Sequence, residues 1–213
     1  MSCIGRDKYF GGFVMKQTAV GGFILLTLGF FLVSSPVQAS PVQEQLKATI
    51  DQILKILADP DLKGDEKTKQ RRAVLKETIN KRFSFYKMSQ LSLARHWRDR
   101  TEQEKEHFVI LFGQLLEDTY ISKIESYTDE EVVFVKEYVN NKKAQVYTKI
   151  ITDSVEIPID YRLYQADDAT WMVYDMVIEG VSLVGNYRTQ FDQMLQKGSY
   201  EDLVKELKNK ISS

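Results

Sequence analysis

Cysteine occurs once, at Cys3, and that residue lies ahead of an apolar run that reads as a removable leader. A chain that loses it on export has no thiol chemistry, no cysteine-based metal site and no disulfide, so its core alone must hold it together. Histidine is almost as scarce. His96 and His107 are the whole supply, both set among charged residues of helical pattern. Without a Cys partner, a His-Glu spacing or a Ser motif at a strand-turn junction, neither nucleophilic catalysis nor a metal centre has its residues. No catalytic residue, metal or cofactor is assigned. A glycine-rich nucleotide motif is also missing. Excess charge is lacking too: a formal net charge of -1 and a pI near 6.2 leave no basic stripe for nucleic-acid phosphates.

The one long apolar run, Ala19 to Val33, falls short of the roughly 20 residues that span a bilayer. It follows Lys16 and ends in Ser34-Ser35-Pro36 and then Val37-Gln38-Ala39, a small-residue cleavage pattern. Residues 1–39 therefore read as a signal peptide cleaved after Ala39, and no Cys follows for lipid attachment. Met15-Lys16 stands where a leader of ordinary length begins, so residues 1–14 are expected to lie ahead of the true start. Residues 40–213 form one domain, because 43% hydrophobic and 28% charged residues over this length suffice for a single core.

Val42, Leu46, Ile50, Ile53 and Leu57 recur at helical spacing after Pro41, and the pattern stops at Asp59-Pro60. A polar link, Asp61 to Thr68, leads into a second stripe through Leu75, Ile79 and Phe83. Its basic start, Lys67 to Arg72, is either a solvated face or a docking patch. Thr101 to Glu104 is a capping-box pattern opening a third helix. Phe108, Leu111, Phe112 and Leu115, widened by Leu116, Tyr120 and Ile124, give that helix an apolar face broad enough for two neighbours.

Beyond Tyr127 the period drops to two. Val132–Val139, Lys143–Thr152, Glu156–Gln165 and Thr170–Glu179 read as four strands joined by short polar loops, an antiparallel meander. Symmetry about the turns pairs Ile150 with Ile157, Thr148 with Ile159, and Val146 with both Tyr161 and Val135, and sets Leu163 beside Met172. One face then holds Val133, Val135, Val146, Ile159, Tyr161, Leu163, Met172, Tyr174, Met176 and Ile178; the other holds Arg162, Asp175, Phe134 and Trp171. Gly180 turns the chain into a helix that Ser182 can cap, followed by a last helix opened by Ser199.

Trp171, Tyr174, Asp175, Glu179, Gly180, Ser182, Leu183, Asn186, Tyr187, Arg188 and Phe191 together resemble the signature of the MlaC family, the periplasmic phospholipid-binding component of an ABC lipid-transport system. The stretch R-F-S-F-Y-K-M-S, then L-A-R-H-W-R, resembles a second family segment, with Ser84 where relatives carry Asp and Ala94 where they carry Gly. Ala94 is expected to take ordinary helical angles. The resemblance implies an α+β fold, helices packed on a curved antiparallel four-stranded meander of the nuclear-transport-factor-like type. It further implies a monomeric periplasmic carrier, not an enzyme, whose cargo is phospholipid. Its partners would be an outer-membrane lipoprotein-porin complex and an inner-membrane ABC transporter, and its work the upkeep of outer-membrane lipid asymmetry.

On that footing, Phe112, Leu115, Tyr120, Val146, Ile159, Tyr161, Tyr174, Met176, Ile178, Val181 and Phe191 are expected to line a lipid cavity. Arg162, Asp175 and Arg188 form a polar cluster read either as a lock between sheet and helix or as a head-group site. Three alternatives stay open: a hopanoid-type lipid as cargo, an isomerase or dehydratase on the same fold using Asp175, and a lipid-free adaptor that binds the transporter only through its surface.

Overall fold

Five helices and a short one pack around an open sheet in the computed structural model, which describes residues 40–127 and 130–211; residues 1–39, expected to be a leader, lie outside them. The order is α1 (Pro41–Ala58), α2 (Thr68–Asn80), α3 (Phe85–Leu93), α4 (Glu102–Glu125), β1 (Glu131–Asn140), β2 (Lys143–Ile151), β3 (Glu156–Gln165), β4 (Trp171–Ile178), β5 (Val181–Ser182), α5 (Leu183–Lys197) and α6 (Tyr200–Ile211). The helix starts are those the side chains dictate. Ser40, Ser84 and Ser182 accept from backbone N–H groups three residues on, and Thr101 and Glu104 close a reciprocal capping box. Ala94 departs from expectation. Its φ of 49° and ψ of -116° lie where Gly is at ease and a Cβ is strained.

The sheet is a meander with antiparallel neighbours in sequence order. A fifth strand joins the expected four, because Glu179 and Gly180, both at positive φ, make a two-residue hairpin that returns Val181 against Ile178. The β2–β3 register is the expected one, with Ile150 opposite Ile157 and Val146 opposite Tyr161. Each flanking pair carries an irregularity that corrects the rest. Between Phe134 and Lys136 the β1 register shifts, so Val132 and Phe134 pack on the core while Val135 is 51% exposed. Between Arg162 and Leu163 the partner jumps from Asp175 to Val173, leaving Tyr174 as the extra residue. Trp171 and Val173 therefore join the core face, and Tyr174 turns away to meet the Tyr164 ring at 6.3 Å.

Three separate apolar clusters form rather than one. The first joins α3, α4, α5 and α6 through Phe108, Phe112, Tyr187, Phe191 and Leu203. A second lays Val42, Leu46 and Ile50 of α1 on the sheet. The smallest joins α1, α2 and α4 through Ile56, Leu75 and Ile121. The link before α3 is fastened to the sheet: Ser84 N–H donates to Val173 O at 2.8 Å and Val173 N–H to Arg82 O at 2.8 Å. That places Phe83 and Phe85 where the clusters approach one another.

Two arginines of the basic run converge on one carboxylate. Arg71 reaches Glu125 Oε1 at 2.8 Å and Arg72 reaches Oε2 at 2.7 Å, while Arg71 also donates to Leu62 O. Burial would raise the Glu125 pKa, but the hydrogen bonds and charges of Arg72 and Arg71 outweigh it and hold the carboxyl below its ordinary value. A folded pKa below the unfolded one means this stability is complete above about pH 4.3 and is lost as pH falls through the lower folded value. Glu125→Gln is expected to lose about 2 kcal/mol at neutral pH. In thermal melts across pH, its deficit against the parent should shrink steadily below pH ~4.

Candidate functional site: an apolar cavity between sheet and helices

Where the three clusters meet, the protein does not fill its own interior. A cavity of about 730 Å³ remains. Ile50, Ile53, Leu54 and Leu57 of α1 form one side, Ile79, Phe83, Phe85 and Met88 another. Val109, Gly113, Leu116, Tyr120 and Ile124 of α4 face them, and Val132, Ile150, Ile157, Ile159, Tyr161, Met176 and Ile178 of the sheet close the floor. The half-exposure of Ile53, Met176 and Ile178 follows from this, since each borders the hollow.

Charge is confined to the rim. Lys76, Asn80, Gln114, Lys123, Glu179 and Asn186 border the cavity and are solvent-exposed, and Lys76 pairs with Glu117 at 2.6 Å. The interior tyrosines are held neutral. Burial pushes the Tyr161 phenol far above its ordinary pKa, and burial likewise raises Tyr120 and Tyr127. An uncharged wall with a polar edge accepts hydrocarbon inside and a hydrated group outside.

The profile of the family described as MlaC protein matches residues 47–209. The chain belongs to the MlaC family. No curated protein matches it. Among solved structures it is similar to the phospholipid-binding protein from Ralstonia solanacearum in complex with a phospholipid, with a TM-score of 0.73 and 23% identity over 81% of this chain and 98% of that one. The likeness establishes a shared fold of helices on an antiparallel sheet.

In this MlaC-family chain, six of the residues expected at the cavity stand on it: Tyr120, Ile159, Tyr161, Met176, Ile178 and Val181. The other five do not. Phe112, Leu115 and Phe191 lie on the opposite side of α4, where Phe112 meets Tyr187 at 5.1 Å and Phe191 at 5.5 Å edge-on. Val146 is 0% exposed and packs in the α1–sheet cluster. Tyr174 is carried to the other face by the bulge. The α1 and α2 wall, from Ile50 to Ile79, was not anticipated, because its helical stripe reads the same whether it meets side chains or space.

The polar trio also divides. Arg162 donates to Asp175 Oδ2 at 2.9 Å, and the same carboxylate accepts from Ser182 Oγ at 2.7 Å and from Val184 N–H at 3.0 Å. Asp175, 3% exposed, thus fastens β4 to the first turn of α5. Arg188 is elsewhere, donating to Leu91 O at 2.8 Å and so tying α5 to α3. None of the three borders the cavity. Both oxygens of Asp175 are engaged in these contacts, and its side chain is 5% exposed. Among the described residues no His, Cys, Asp and Glu group of metal-binding size converges, and no helix is long and apolar enough to cross a membrane.

Proposed function

We propose that this chain is a phospholipid carrier, taking the acyl chains into the cavity and leaving the head group at its polar rim. The observation that carries the reading is a hollow of about 730 Å³, walled by aliphatic and uncharged aromatic side chains in a member of the MlaC family. Each methylene withdrawn from water is worth about 0.8 kcal/mol, so one exposed chain of about 16 carbons would cost on the order of 10 kcal/mol. Enclosure by the protein offsets this as a bilayer does, which makes exchange between the two nearly balanced. Direction then comes from partners. In this reading residues 1–39 direct export and are removed, and the mature monomer moves phospholipid between an outer-membrane lipoprotein-porin complex and an inner-membrane ABC transporter, sustaining outer-membrane lipid asymmetry.

The test is to express the full chain with its leader, purify the exported product, extract it with organic solvent and identify what is released by mass spectrometry. Phospholipid in near-stoichiometric amount is expected. A hopanoid would replace the cargo, and an extract free of lipid would remove the carrier reading. The same spectra give the processed N-terminus, expected at Ser40.

A further inference from the structure

Gly113 sits in the middle of the 24-residue helix α4, where the chain has every other reason to avoid glycine. A glycine inside a helix destabilises it by freeing the backbone and contributing no packing. It is tolerated where a Cβ would collide or the backbone must take positive φ. Neither applies here. Gly113 has helical backbone, and a Cβ built on it meets only the Phe85 ring, at 3.7 and 3.8 Å, an ordinary van der Waals distance. Gly113 also borders the cavity. On the α4 stripe that faces the hollow, Val109, Leu116, Tyr120 and Ile124 each project a side chain, and Gly113 alone contributes none.

We infer that Gly113 sets how much hydrocarbon the cavity takes: it lines the hollow beside the Phe85 ring and adds no side chain to it, leaving that volume to an acyl chain. The inference rests on the carrier reading and assigns within it the residue that selects acyl length. A leucine at this position would occupy roughly 120 Å³ on the scale of about 30 Å³ for each water-sized group, about four methylenes of a long chain. Each methylene forced back into water shifts a partition about fourfold. Exclusion of even two would change the choice between long and short chains about fifteenfold.

The experiment loads the delipidated mature protein from vesicles of equimolar dilauroyl, dipalmitoyl and distearoyl phosphatidylglycerol, and reads the bound species by native mass spectrometry. The series is Gly113→Ala, Gly113→Met and Gly113→Leu, with Glu106→Leu, exposed two turns earlier on the same helix and not part of the cavity wall, as control. Alanine should raise the Tm by roughly 2–4 °C through helix propensity and alter chain selection less than about twofold. Methionine and leucine should favour dilauroyl over distearoyl lipid by about tenfold or more relative to the parent, with Glu106→Leu unchanged. Methionine's flexible side chain keeps the test available if leucine prevents folding. A parent that loads no lipid would defeat the carrier reading. A parent that loads lipid while a folded Gly113→Met or Gly113→Leu protein keeps the same acyl preference would overturn this inference alone.

Discussion

Replacing Asp175 by alanine is expected to destabilise the protein by about 3–5 kcal/mol, without touching the cavity wall. The carboxylate accepts three hydrogen bonds, from the Arg162 guanidinium, the Ser182 hydroxyl and the Val184 N–H. Truncation leaves that N–H unsatisfied inside the protein and removes the negative charge facing the start of α5. Arg162 is 39% exposed at its side chain and can turn to water, which sets the effect toward the lower end. For a domain of this size the loss corresponds to a Tm fall of roughly 6–12 °C. Asp175→Asn keeps the shape and one acceptor oxygen, and should lose about half as much. If the alanine variant melts within a degree or so of the parent, β4 and α5 are not joined through this group.

Asp175 also shows how far the sequence could be read. The lock between sheet and helix follows from an acidic residue in an aromatic strand, a glycine turn and a serine before a helical run, all visible in the order of residues. The α4 start was legible for the same reason, since Thr101 and Glu104 can satisfy each other's backbone partner only at that spacing. The two bulges were not. Val132 to Val135 and Trp171 to Tyr174 are apolar at both parities, so alternation cannot say which residue is the extra one. Ala94 misled because alanine announces helix, while its neighbours hold it at positive φ. The cavity is harder in principle. A hollow is bordered by the same Ile, Leu, Met and Tyr side chains that fill a core, and the cue present was the breadth of the α4 face. That breadth is shared between the α5–α6 cluster and empty space: Phe112 and Leu115 stand in the cluster alone, while Leu116 and Tyr120 belong to it and also border the hollow.

The wall and the core separate under a charge. Met176 packs against both the helical cluster and the α1–sheet cluster, yet its side chain borders the hollow. In Met176→Asp the new carboxylate can stay hydrated, because an unfilled cavity of this size admits water, so the fold is expected to survive with a Tm within about 5 °C of the parent. Acyl chains cannot then enter without stripping that water. Desolvating a carboxylate against hydrocarbon costs several kcal/mol even after relaxation, and about 3 kcal/mol already corresponds to a hundredfold loss of bound lipid. Met176→Leu restores an apolar side chain of similar volume and should retain cargo. At Val146, 0% exposed and enclosed by α1, the same aspartate has no water to keep and should prevent folding. Native mass spectrometry with circular dichroism on the three variants reads both quantities together. Lipid retained in folded Met176→Asp protein would mean that the chains lie somewhere other than this cavity.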